Sequence, residues 1–261
     1  MNIDFEDFLP SDPDRVKPFV YEDERTVSLH FDISSIQSRM LRADPHALAL
    51  DYTRMMMACL LFDPAPQAML MIGLGGGSLP KYCHRHLPAA DITVVEINPH
   101  VIEMREAFFV PPDDARFRVV CDDGAAFVAG GAQPRYDVLL LDGFTYDGQP
   151  EALSTPAFYA DCRSALADDG VLVVNLHNEE SQAALLVERI ERCFGGHAIA
   201  VTTPDGGNRV VFAAREASAF ERCAAAFDAR WAALPEVHQR TLRNAVSRFS
   251  KALSQRLASV E

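Results

Sequence analysis

Basic residues are in short supply: 24 Lys and Arg stand against 37 Asp and Glu, a formal net charge of −13 at pH 7. Such a chain repels phosphate backbones, which argues against a nucleic-acid partner and suits a cationic substrate without requiring one. Long hydrophobic runs are missing as well. No window approaches the roughly eighteen uninterrupted apolar residues of a membrane span, so no membrane partner is expected. The N-terminus, acidic from Asp4 to Asp14, has neither the basic nor the apolar region of a secretion signal, and a cytoplasmic protein is expected. The six cysteines (Cys59, Cys83, Cys121, Cys162, Cys193, Cys223) include no close pair, so neither a zinc knuckle nor a disulfide framework is indicated. Repeats and low-complexity segments are absent. What is plentiful is apolar matter, 49% of 261 residues, enough for one large domain with appendages.

The pattern of that apolar matter sets the organisation. Between Phe19 and Ile36 the segment from Thr26 to Ile33 alternates with period two, as in a small β-sheet or hairpin. Residues 46–62 read as a helix ending at the Asp63-Pro64-Ala65-Pro66 breaker. Nearly all-apolar strands then recur at Ala68–Ile72, Ile92–Ile97, Phe117–Val120, Tyr136–Leu141 and Val171–Leu176, the signature of a parallel sheet covered on both faces. Ala198–Val201 and Asn208–Ala213, separated by Thr203-Pro-Asp-Gly-Gly, read as a closing antiparallel pair. In the tail Leu242, Val246, Phe249, Leu253 and Leu257 fall at helical spacing beside Arg240, Arg243, Arg248, Lys251 and Arg256. Such a basic amphipathic helix is expected to pack on its own domain or on a second subunit. The division expected is an N-terminal β segment over 1–45, an α/β catalytic domain over 46–216 and a helical extension over 217–261.

The first strand runs into Leu70-Met71-Ile72-Gly73-Leu74-Gly75-Gly76-Gly77, and Glu96 closes the next strand about twenty residues on. Glycines let backbone approach a ligand, while a carboxylate at the neighbouring strand end accepts ribose hydroxyls. Gly73, Gly75, Gly77 and Glu96 are therefore expected to bind a nucleoside. The third strand ends at Asp122-Asp123-Gly124, where Asp123 and Gly124 can meet an adenine edge. The fourth ends in Leu139-Leu140-Leu141-Asp142, which puts a carboxylate beside the site, able to take a proton or orient an attacking group. His84 and His86 beside Cys83 lack further ligands, and no metal is expected. His177, after the fifth strand, reads as a loop histidine near the cleft, and Met55-Met56-Met57 as core.

The order Ile72-Gly-Leu-Gly-Gly-Gly, Val95-Glu96-Ile97, Asp123-Gly124, Tyr136-Asp137-Val138-Leu-Leu-Leu-Asp142 resembles the polyamine aminopropyltransferases, the spermidine synthase group. Gly148, Glu151, Leu153, Phe158-Tyr159 and Leu166-Ala-Asp-Asp-Gly170 extend the likeness, as do Ile36-Gln37 and Tyr52 upstream. The resemblance spans roughly residues 20 to 215. It implies an α/β, Rossmann-like class I methyltransferase fold, with a mostly parallel sheet and an antiparallel closing strand, behind a small β segment. It also implies a homodimer, a polyamine acceptor and no metal. By the same resemblance Glu96 and Asp123 hold the ribose and adenine of decarboxylated S-adenosylmethionine, Asp142 helps deprotonate the attacking amine, and Gln37 and Tyr52 line the cleft.

Two departures bear on the substrate. The family's glycine turn reads Gly-Gly-Gly-Asp-Gly, and Gly76 stands where its aspartate, which binds the aminopropyl ammonium, would be. The loss removes a group that repels the carboxylate of intact S-adenosylmethionine. After Asp142 the family's second aspartate is Thr145, with Asp147 two residues on. A buried ammonium without a partner costs about 3–5 kcal/mol, so efficient use of putrescine is not expected unless Asp147, Asp122 or Glu151 takes over. Two enzyme readings stay open: an aminopropyltransferase with an altered amine site in which Thr145 and Asp147 meet the substrate, and a methyltransferase using S-adenosylmethionine. A non-catalytic nucleoside-binding relative is a third reading, and a dinucleotide-dependent oxidoreductase a fourth.

Overall fold

The central strands of the main sheet are largely apolar and must be covered on both sides, and the chain does this with alternating helices. The computed structural model describes residues 16–32, 36–131, 135–144, 148–178 and 182–258. A three-stranded antiparallel sheet comes first: β1 (Phe19–Glu22), β2 (Thr26–His30) and β3 (Ser38–Leu41). Its first turn is held by Asp23, whose Oδ1 accepts from the amides of Arg25 and Thr26 at 2.7 and 2.6 Å. The main sheet contains β4 (Ala68–Ile72), β5 (Asp91–Glu96), β6 (Phe117–Cys121), β7 (Tyr136–Leu141), β8 (Leu166–His177), β9 (Ala198–Thr202) and β10 (Asn208–Ala214). They lie in the order β6-β5-β4-β7-β8-β10-β9, all parallel except β10, which runs against both its neighbours.

Successive side chains of each strand enter opposite layers. Met69, Met71, Val138, Leu140, Val171 and Val173 join one core with the helices α1 (Asp51–Met56), α2 (Ser78–His86), α3 (Pro99–Glu103) and α9 (Glu236–Ala258). Leu70, Ile72, Leu139, Leu141, Leu172 and Val174 join the other, against α4 (Gly124–Ala129), α5 (Pro156–Ala165) and α6 (Ala183–Cys193). The chain crosses from one half of the sheet to the other between β4 and β7, and open α/β sheets leave a crevice at the carboxyl ends of such strands.

Three expectations shift in the structure. The helix expected over 46–62 begins only at Asp51, because Leu50 is extended (φ −97°, ψ 145°), and tightens into a 3-10 turn over Met57–Leu61. β3 is a strand that four residues of mixed pattern did not announce. The fifth strand of the main sheet starts at Leu166 rather than Val171, with a register irregularity opposite Tyr136 and Val138. At that point a Cβ on Gly170 would sit 2.7 Å from the Tyr136 carbonyl. The tail folds as α7 (Ser218–Ala225), α8 (Phe227–Ala233) and α9. Leu242, Val246, Phe249 and Leu253 are all buried in the first core, so the amphipathic helix does pack on its own domain. Among the described residues no helix is long and apolar enough to cross a membrane.

Candidate active site

Gly73 follows β4 and Asp142 follows β7, and the two loops touch. Gly73 has φ +94°, and a Cβ there would lie 2.2 Å from the Asp142 carbonyl oxygen. Only a residue with no side chain lets the two strand ends close together. The Asp142 amide donates to the Ile72 carbonyl at 2.9 Å and the Gly73 amide to Val95 at 2.8 Å, stitching the ends of β7, β4 and β5 into one floor. Gly75 and Gly77 also have positive φ, at 50° and 68°, and carry the turn into α2.

Glu96 reaches under this turn. Its Oε2 accepts from the Leu74 amide at 2.8 Å and its Oε1 from the Asn98 amide at 2.9 Å. It is 8% exposed, and burial pushes its carboxyl above the ordinary range, opposed by backbone amides of Leu74, Asn98, Gly75 and Ile97. These amides orient Glu96, and the residue lines the cleft. Asp123 caps α4, its Oδ1 accepting from Ala125 at 2.7 Å and Ala126 at 3.2 Å, and it still lines the cleft. Gly124 is buried, and a Cβ there would meet Ile72 Cγ2 at 2.5 Å.

The other end of the same cleft is a polar chain. Asn175 Nδ2 donates to Asp142 Oδ1 at 2.8 Å, and Asn208 Nδ2 donates to Asn175 Oδ1 at 3.0 Å. The Tyr52 hydroxyl donates to the Asp142 carboxylate as well. Burial raises the Asp142 carboxyl above its usual value, opposed by the hydrogen bonds from Asn175 and Tyr52 and by the charge of His177. Burial also holds the Tyr52 hydroxyl well above its normal pKa, helped by Asp142's charge, so Tyr52 is a standing donor. Phe144 and His177 stack at 4.2 Å, with planes 7° apart, along one wall.

All of these groups surround one cavity of about 250 Å³, whose lining includes Gln37, Tyr52, Gly73, Gly75, Glu96, Asp123, Gly124 and Asp142. Gly77 is in the turn but not in the lining. Thr145 and Asp147 lie outside the described residues. The other two carboxylates named as substitutes, Asp122 and Glu151, are exposed and not in the lining, whereas Asp205, also exposed, is in it. Asn175, Asn208 and Asp205 were not foreseen as site residues. Asn175 left a trace, a polar residue only 2% exposed in the apolar run of β8. The described lining holds four carboxylates, Glu96, Asp123, Asp142 and Asp205, and no lysine or arginine.

The Gly76 corner is closed rather than merely empty. A Cβ there would stand 2.7 Å from Ser38 Oγ and 2.9 Å from Phe108 Cδ1, both of them buried. Phe108 is fixed in turn by the buried Lys81, whose Nζ donates to its carbonyl at 2.6 Å. Met55, Met56 and Met57 are core, 0% exposed. His84 pairs with Asp114 at 3.0 Å and His86 packs on Tyr82, and among the described residues no group of three or more His, Cys, Asp or Glu could hold a metal.

Comparison with known proteins gives a consistent pattern. Residues 50–198 match the spermine/spermidine synthase domain. A polyamine aminopropyltransferase of Chromobacterium violaceum is 37% identical over 198 residues, 76% of each chain. The eEF1A lysine and N-terminal methyltransferase of Mus musculus is 36% identical over 120 residues, 42% of this chain and 17% of that one. A solved spermidine synthase in complex with the transition-state analogue AdoDATO superposes with a TM-score of 0.59 at 20% identity, over 86% of this chain and 87% of that one.

Proposed function

Since the chain belongs to the spermine/spermidine synthase family and is a transferase, we propose that it moves an aminopropyl group from decarboxylated S-adenosylmethionine to the amine of a polyamine-type acceptor. The observation that carries this reading is the single cleft in which Glu96 and the glycine turn face one end and the hydrogen-bonded Asp142 the other, with four carboxylates and no lysine or arginine in its described lining. Such a cavity favours cations: a sulfonium at the nucleoside end and an ammonium at the other. Gly73, Gly75 and Gly77 shape the turn, Glu96 takes the ribose, Asp123 and Gly124 meet the adenine, and Gln37 and Tyr52 border the transferred group.

The chemistry is an in-line displacement, for which the enzyme supplies alignment and a dry setting. The acceptor enters as an ammonium and gives its proton to Asp142, whose raised pKa makes it a stronger base than a solvated aspartate. The freed lone pair attacks the methylene carbon beside sulfur, the carbon–sulfur bond breaks with its electrons going to sulfur, and methylthioadenosine leaves neutral. Asn175 and Tyr52 hold the carboxylate in place.

Methyl transfer from intact S-adenosylmethionine is the second reading, favoured by Gly76, which sets no carboxylate against the methionine end. The described lining offers that carboxylate no lysine or arginine, which weighs for the first reading. The test is to incubate the protein with each sulfonium compound and an amine panel of putrescine, spermidine and agmatine, and to identify products by mass spectrometry. Methylthioadenosine with an aminopropylated amine supports the proposal. S-adenosylhomocysteine with a methylated acceptor replaces it by the second reading, and neither product with any amine rejects the proposal.

A further inference from the structure

The antiparallel strand β10 brings a polar side chain to the base of the cleft. Its register sets Asn208 opposite His177 and Val210 opposite Asn175, so Asn175, His177 and Asn208 stand on one face of the sheet. The backbone of Asn208 is fixed at both of its polar groups: its amide donates to Thr203 Oγ1 at 3.1 Å, and its carbonyl accepts from the Thr203 amide at 2.9 Å. From that fixed start its side chain donates through Nδ2 to Asn175 Oδ1 at 3.0 Å. Asn175 donates in turn through Nδ2 to Asp142 Oδ1 at 2.8 Å.

The order of donors along this path is forced. An ionised carboxylate only accepts, so Asn175 must turn its Nδ2 toward Asp142. That sends its Oδ1 the other way, in a side chain only 2% exposed, and a buried carbonyl needs a donor. Asn208 is that donor. Were an acceptor to stand at 208, two groups would compete for the Asn175 Nδ2, and turning toward the new one would set its Oδ1 against the Asp142 carboxylate. A polar pair on neighbouring strands is ordinarily no more than sheet pairing. Here the pair continues into the carboxylate, and the orientation of one amide depends on the next, so the two act as a single relay. The titratable groups around Asp142 are Tyr52 from α1 and His177 from β8, with Glu96, Asp123 and Asp205 elsewhere in the lining. Burial raises the Asp142 carboxyl and the bond from Asn175 opposes that rise, so the relay works on the side of the ionised form.

Resting on the reading of Asp142 as the proton acceptor, we propose that Asn208 is a positioning residue of the transfer reaction: acting through Asn175, it holds the donor side of that amide on Asp142 and keeps the carboxylate aimed and ready for the acceptor's proton. Its effect on the chemistry runs through Asn175 alone. The strand β10 thereby takes part in the reaction rather than only extending the sheet.

The test puts an acceptor at 208 with Asn208→Asp and follows the Asp142 carboxyl by carbon-13 NMR across pH in the methylthioadenosine-loaded protein, the resonance being assigned by its loss in Asp142→Asn. The Asp142 titration is expected to move up by roughly one to two pH units. The acid limb of kcat with putrescine and decarboxylated S-adenosylmethionine should move with it, and methylthioadenosine affinity should stay as it was. Asn208→Leu, which removes the donor and adds no charge, is expected to move both in the same direction but less far. Because a new carboxylate also acts by its charge, Asn208→Asp is repeated in Asn175→Leu, where no amide is left to turn, and the excess movement with Asn175 present reads the relay. Equal movement in both backgrounds overturns this inference and leaves the assignment of Asp142 standing. An Asp142 titration that moves as expected while the acid limb stays in place overturns Asp142 as the base, and with it the catalytic role of Asn208.

Discussion

Asp142→Asn separates catalysis from folding in a way the site's own hydrogen bonds make measurable. The side chain of asparagine fits the same space, and its oxygen can still accept from Asn175, which donates to Asp142 Oδ1 at 2.8 Å. What is lost is the proposed base. A positioned proton acceptor contributes roughly 10²- to 10⁴-fold in rate, about 3–5 kcal/mol of barrier, so kcat for aminopropyl transfer is expected to fall by that factor with methylthioadenosine affinity unchanged. The stability effect has the opposite sign. Turning two charge-assisted hydrogen bonds into neutral ones costs about 1 kcal/mol each, yet the carboxyl is raised despite them, so burial of the charge is the larger effect. A carboxyl raised in the folded state binds its proton more tightly there than in the unfolded chain. It therefore destabilises the fold once pH climbs past the unfolded value near 3.9, and the whole penalty is present above the folded value. Asp142→Asn should accordingly melt higher than the wild type at pH 7, and the gap should close as pH drops toward the unfolded value. Product formation is followed by mass spectrometry and melting by circular dichroism across pH. Turnover within threefold of wild type, or a lower melting temperature at pH 7, refutes the reasoning.

Other sites give equally direct outcomes. Glu96→Gln places a donor where one of the backbone amides now points, so affinity for S-adenosylmethionine, its decarboxylated form and methylthioadenosine should drop together by roughly 10- to 100-fold in calorimetry; affinity unchanged from wild type for all three would remove Glu96 from the ribose. Gly76→Ala drives a methyl group into Ser38 Oγ and Phe108, and should cost about 1–3 kcal/mol in denaturant unfolding, with Ser38→Gly recovering part of it. Lys81, 1% exposed, is pushed down to about 8 by burial. Its charge penalises the fold at pH 7 and the penalty fades between about pH 8 and the unfolded value near 10.4. Lys81→Met should thus be the more stable protein at pH 7, by about 2 kcal/mol after the lost bond to Phe108 is counted, with the advantage vanishing by pH 10.5.

The chain announced what depends on local spacing. β4, β5 and β7 ended within a residue of where their apolar runs ended, and the glycine turn, Glu96 and Asp142 follow from those ends because a parallel sheet delivers its strand termini to one edge. Groups that arrive through pairing at a distance were invisible. Asn208 and Asp205 reach the cleft only because β10 runs antiparallel to β8 with Asn208 opposite His177, a register no local pattern encodes. Ser38 and Phe108 close the Gly76 corner from a separate sheet and from the loop before Val110, which turned an apparent vacancy in the sequence into a packed contact. Asp122 and Glu151 were plausible by proximity along the chain, and neither lines the cavity.

The bare backbone at position 73 has a further consequence. With the Asp142 carbonyl resting where a side chain would be, the turn proposed to receive one reactant and the strand tip proposed to deprotonate the other form a single mechanical part. Neither can be remodelled alone: an evolutionary or engineered change of sulfonium donor that reshapes this turn also re-aims the carboxylate against the second reactant. Donor choice and acceptor reactivity are bound to drift in step, and variants selected for a new donor should come with second-site changes along β7 and β8.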